Sequence, residues 1–183
     1  MSWETVVSSS TSGVANTAGT RASCIPVANR IVLPNNFFYV GRRIRYTMSG
    51  AISCAVTSPG TARLDICMGA AGTTIVFDTG ALNLNVVAKT TVPWQFQVEL
   101  ICRAVGVGAA STFFPMGWFM SEAVVGAPAN AAGGNGVLQV PVGTPAVGAG
   151  MDNTAASALD VFFTQTVATG SFQVHNYVVD VTN

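Results

Sequence analysis

The segment Trp94-Gln95-Phe96-Gln97-Val98-Glu99-Leu100-Ile101-Cys102-Arg103 decides the fold. Trp94, Phe96, Val98, Leu100 and Cys102 recur at every second residue, with Gln95, Gln97, Glu99 and Arg103 between them. Successive side chains of an extended chain point to opposite faces. The alternation therefore collects five apolar groups on one face, the pattern of an antiparallel strand with one side in a core. Ile101 interrupts the polar face and marks a candidate contact.

The flanking sequence follows the same grammar. Ile31-Val32-Leu33 stops at Pro34-Asn35-Asn36, a turn signal. Phe37 to Gly41 leads into Arg42-Arg43-Ile44-Arg45-Tyr46-Thr47-Met48, where Ile44, Tyr46 and Met48 share a face. Ser49-Gly50 then opens a strand from Ala51 to Thr57. Pro59-Gly60 suits a type II turn, because Pro fixes φ and Gly accepts φ > 0. The return strand is Ala62 to Gly69, with Leu64, Ile66 and Met68 inward and Asp65 outward, so a hairpin is predicted here. Further strands are predicted over Thr73 to Phe77, within the aromatic stretch Thr112 to Ala123, and over Gly136 to Val140. A final pair comprises Ala158 to Thr166 and Ser171 to Thr182. In the last strand Phe172, Val174 and Val178 are expected on one face and His175, Tyr177 and Val179 on the other. Thr154 to Leu159 is too short to hold as a helix. Eight or nine short strands without a helix make a sandwich or barrel. Residues 1–30 are rich in Ser, Thr, Ala and Gly and lack periodicity, which predicts an extended N-terminal arm before a domain at 31–183.

Charged residues make up only 9% of 183, and eight basic side chains cancel eight acidic ones. Globular chains average about 25% charge. A surface this neutral is expected to be covered by other subunits, since interfaces are depleted in charge. The alternative is a monomer with a Ser/Thr/Asn/Gly surface. Nucleic acid is not an expected partner, because Arg42, Arg43 and Arg45 form the one basic cluster and a strand splits it between two faces. A membrane span is not expected either. The longest uncharged stretch, Ala123 to Met151, carries three prolines and seven glycines. Met1 to Ser10 holds Glu4 and polar residues where a signal peptide would have an apolar run.

No catalytic, cofactor-binding or metal-binding residues are assigned. Cys24, Cys54, Cys67 and Cys102 lack metal-ligand spacing and read as buried thiols of a reducing cytosol. In the predicted hairpin Cys54 would lie opposite Leu64 or Asp65, so a bridge to Cys67 would need a slipped register. His175, the single histidine, reads as a strand residue bonded to a neighbour, and one histidine does not make a common zinc site. Asp152 and Asp160 read as turn and edge residues. Gly133-Gly134-Asn135-Gly136 lacks the Lys-Ser/Thr of a phosphate-binding loop. An enzyme needs convergent polar groups, and the small stock of Asp, Glu, His and Lys predicts a non-enzymatic chain.

The order of several motifs resembles a family. Leu33-Pro34-Asn35-Asn36-Phe37-Phe38 precedes Val40-Gly41-Arg42 and then Thr57-Ser58-Pro59-Gly60-Thr61. Pro93-Trp94-Gln95-Phe96 leads into Glu99 to Gly106, followed late in the chain by Asp152 to Val161 and Gly170 to Tyr177. From about residue 30 onward, the chain resembles jelly-roll cement or decoration proteins of tailed bacteriophages. The resemblance implies an antiparallel jelly-roll β-sandwich without catalytic residues or cofactors. It implies a homotrimer that binds the major capsid protein on the outer surface of the virion, made in the cytoplasm of a bacterial host. The arm is then expected to reach an adjacent subunit, and its removal to weaken shell binding without unfolding the domain. Similar jelly rolls serve in head fibres and tail tips. That alternative, a receptor-binding module, would use aromatics such as Trp118 to stack on sugars.

Overall fold

The structure is a computed structural model. It describes residues 2–9, 12–13, 15–17, 19–54, 60–125, 136–143, 147–148, 150–167 and 170–182. The described residues contain no α-helix. The strands are β1 (Trp3–Ser9), β2 (Ala22–Ser23), β3 (Val32–Leu33), β4 (Arg43–Cys54), β5 (Thr61–Met68), β6 (Thr74–Asp78) and β7 (Leu82–Asn83), then β8 (Lys89–Ala104), β9 (Thr112–Ser121), β10 (Val137–Val140), β11 (Ser157–Ala158), β12 (Asp160–Gln165) and β13 (Ser171–Thr182). They form an all-β sandwich. The large sheet has the order β1-β13-β4-β8-β9-β10, and the small sheet has the order β2-β12-β5-β6 with β7 also on β5. A short β3-β11 ribbon stands apart.

The deciding segment lies in β8, and all five alternating apolar residues are buried. They meet the inward row of β4, which includes Ile44, Tyr46, Met48 and Ile52. Opposite them, the small sheet supplies Leu64, Ile66, Met68, Phe77, Val161 and Phe163 to the same core. Four rings stitch the layers together. Phe119 stacks on Trp94 at 5.8 Å, Trp94 on Phe172 at 4.5 Å, and Phe172 on Phe163 across the sandwich at 4.0 Å. Truncating one such ring to Ala costs about 3–5 kcal/mol.

The expected hairpin is corrected, and the final two strands are not neighbours either. β4 lies in the large sheet and β5 in the small one, so the chain crosses between layers there. The same holds for β12 and β13. Alternation shows which face is inward; it does not show which neighbour receives the hydrogen bonds. Gly60 takes φ +67°, as the Pro-Gly reading requires, while Pro59 lies outside the described residues.

Ser49-Gly50 does not begin a strand; β4 runs unbroken through it. A Cβ at Gly50 would stand 1.9 Å from the Gln173 carbonyl oxygen. That oxygen accepts the Trp94 indole N–H at 3.2 Å. Gly50 thus makes room for the β13 backbone to reach the core tryptophan. Beside it, the β4–β13 register shifts between Val174 and Asn176. This bulge inverts the inside-outside order. Tyr177, Val179 and Val181 are buried and Val178 is half-buried, the reverse of the simple period-two expectation.

The N-terminal segment also differs from an extended arm. β1 pairs with β13 from Trp3↔Thr182 to Ser9↔Tyr177, and β2 pairs with β12. Asn16 bridges to Phe172 through reciprocal backbone bonds. Polar, aperiodic residues suffice because an edge strand buries little and gains its order from backbone bonding.

Candidate functional site

The basic cluster is split and internally engaged. Arg43 pairs with Glu99 at 2.8 Å and Arg45 with Asp180 at 3.0 Å. The Arg45 guanidinium also lies 4.2 Å above the Trp3 ring. Arg42 turns away, donates to the Phe37 and Thr182 carbonyls and covers the Phe37 ring at 3.9 Å. His175 is exposed in the bulge, with Nδ1 2.9 Å from the Ser12 hydroxyl. Asp152 accepts from the Thr154 hydroxyl at 2.6 Å and its N–H at 2.8 Å, a turn contact that holds the carboxyl below its ordinary range.

All four cysteines are buried and free. Burial pushes every thiol up, Cys67 to about 12. Among the described residues no cluster of three His, Cys, Asp or Glu could hold a metal. Of the glycine-rich run, residues 133–135 lie outside the described residues.

Sequence reasoning missed a charged lattice on the outer face of the small sheet. Asp65 does face outward from the core, yet it is buried. It accepts from Arg21 Nε at 2.7 Å and Arg63 Nε at 3.1 Å, and Arg63 also pairs with Asp78. Arg21 covers the Phe162 ring at 3.9 Å and donates to Cys67 Sγ at 2.9 Å. Asp160 is likewise buried, inside the sheet and not at an edge. It accepts from the Ser23 hydroxyl at 2.6 Å and lies 3.2 Å from Arg30 Nε. Burial outweighs those partners and leaves its carboxyl above the ordinary range. Two cations and a hydroxyl of the N-terminal segment therefore cap two buried carboxylates, an attachment with no local sequence signal.

A second construction gathers loops at one end of the sandwich. Asn153 is buried. Its side chain exchanges two 3.0 Å bonds with the Phe38 backbone. Its N–H donates to Gly106 O at 3.0 Å and its carbonyl accepts from Asn36 N–H at 2.6 Å. The loops on either side of this bracket expose Tyr39, Val40, Val105 and Val107, with Val40 62% and Val107 71% exposed. An asparagine satisfied on all sides makes a rigid mount. The sequence marked Asp152 as a turn residue but carried no sign that its neighbour Asn153 ties two other loops together.

Trp118 is half-buried on the outward face of β9, together with Phe114 and the exposed Met116 and Met120. It does not line the core, where β9 places Phe113 and Phe119. Compared with known proteins, no family model matches the chain and no curated protein sequence matches it.

Proposed function

We propose that this chain is a non-enzymatic structural protein of a tailed-phage virion, a cement protein that binds the outer capsid shell as a homotrimer. The observation that carries the reading is the rigid apolar end built on Asn153. Four large hydrophobic side chains project there from loops whose backbones are already bonded, so docking them orders little new chain. The charge inventory supports the same reading. Among the described residues, ion pairs engage at least six of the eight basic and six of the eight acidic side chains. Few charges are left to oppose an approaching subunit.

The jelly-roll form of the sandwich belongs to this proposal. Strand pairing supports it: the chain closes from its ends inward, alternating between layers. β1 meets β13 and β2 meets β12; then β13 meets β4 and β12 meets β5. Such nesting is expected of an antiparallel hairpin rolled into paired Greek keys.

Native mass measurement tests the trimer, and pelleting with purified shells that lack the protein tests attachment. The wild-type chain is expected to sediment with the shells, and Val40→Asp with Val107→Asp to stay in the supernatant. A wild-type chain that never sediments would sink the proposal.

A further inference from the structure

One groove on the outer face of the large sheet has a composition unlike the rest of that face. It encloses about 290 Å³ and is lined by Trp118, Gln97, Gln95, Thr47, Ser49 and Asn176, with backbone of the inward residues as its floor. The register sets these side chains in two rows. Trp118 stands opposite Gln97, which stands opposite Thr47. Gln95 stands opposite Ser49, which stands opposite Asn176. With strands about 4.8 Å apart, each row spans roughly 10 Å.

The arginines nearest the groove on this face are paired within the chain, as Arg43–Glu99 and Arg45–Asp180. The groove's three amides and two hydroxyls are not: among the described residues none of their side chains makes a hydrogen bond. They offer paired donors and acceptors without formal charge. Beside them, Trp118 presents a partly accessible ring that stacks on no other aromatic among the described residues. We infer that this groove is a binding site for a neutral saccharide. A pyranose ring has an apolar C–H face to lay on an indole and hydroxyls that need both donors and acceptors around its rim. The volume accommodates one or two rings, at the small end of ligand sites.

Competing ligands fit less well. Phosphate or sialate would want a free cation, and the nearest arginines are committed. A strand-adding peptide needs open backbone groups. β4 is already paired on both sides by β13 and β8, and β8 by β4 and β9. Recognition must come from side chains, which suits a small polyhydroxylated ring.

The site is independent of shell attachment and is tested on the isolated full chain. Methyl glucoside, galactoside, mannoside and N-acetylglucosaminide, with maltohexaose and cellohexaose, are titrated by calorimetry. At least one probe should bind saturably in the millimolar range. Trp118→Ala should weaken that binding by roughly tenfold or more, as loss of a central aromatic anchor does. Gln97→Ala and Asn176→Ala, on the same solvent face, should weaken it several-fold with unchanged melting. These two keep the test decisive if Trp118→Ala fails to fold. Absence of saturable binding to every probe, or binding that neither amide variant weakens, would overturn the inference.

Discussion

Removing one carboxylate from the small sheet should cost less than removing the two cations that serve it. The Asp65 side chain is 2% exposed, whereas Arg21 is 33% and Arg63 45% exposed. Asp65→Ala loses two charge-assisted bonds but leaves cations that water can reach. Discounted for that exposure, the loss is about 2 kcal/mol. Arg21→Ala with Arg63→Ala instead strands a buried carboxylate, at about 3–5 kcal/mol. For a chain of this size each kcal/mol moves the melting midpoint by about 2–4 °C. The informative variant is the triple. Adding Asp65→Ala to the double-arginine variant should restore stability, because it deletes the uncompensated charge. Urea unfolding of all four proteins measures the comparison. A triple variant less stable than the double, or an Asp65→Ala loss as large as that of the double, would refute the reasoning. The same lattice revises what truncation does: removing residues 1–30 uncovers Asp65, Asp160 and the β13 edge, so it should destabilise the domain.

Three further outcomes follow from the core. Tyr46 carries a buried hydroxyl with no hydrogen-bond partner among the described residues, so Tyr46→Phe should stabilise by about 1 kcal/mol in urea unfolding. Gly50→Ala forces a Cβ onto the Gln173 carbonyl and should destabilise by at least about 3 kcal/mol, with loss of the Trp94 near-ultraviolet signal. The folded chain should leave all four thiols unreactive to Ellman's reagent at pH 8. Because folding raises their pKa values above the ordinary 9.0, the thiols' contribution to stability is full below pH 9 and fades above it, through about 12 for Cys67. A pH titration of the unfolding midpoint reads this directly.

Strand identity was legible where period-two alternation was long, as in β8, because burial of one face writes itself into every second residue. Pairing was not legible. The β4–β5 and β12–β13 segments look like hairpins in sequence, since a turn within a sheet and a turn between sheets use the same Pro and Gly chemistry. The inversion at His175 was hidden for a related reason: one extra backbone residue flips the faces without changing composition. Gly50 read as a break because the close approach that demands glycine comes from Gln173, more than a hundred positions away. The surfaces were the least legible part. Asn153, Asp65 and the row around Trp118 acquire their roles from residues that only the register brings together.

That register has its own specification, and the sparse charges supply it. Apolar alternation forbids a one-residue slip but tolerates a slip of two, which keeps every side chain on its face. Arg45 lies directly opposite Asp180, so a two-residue shift of β13 would separate them. Asp65 lies directly opposite Asp78, a repulsive cross-strand pair if left alone. Arg63, two residues along the same strand, contacts both carboxylates and turns the repulsion into a clamp. Glu99 is held diagonally by Arg43 across β4 and β8. Each of these pins acts between neighbouring strands of one sheet, where the apolar pattern is degenerate. With most of the charges engaged within the chain, much of the outer surface is left to neutral amides, hydroxyls and apolar loops, the groups on which contact with other molecules must then largely depend.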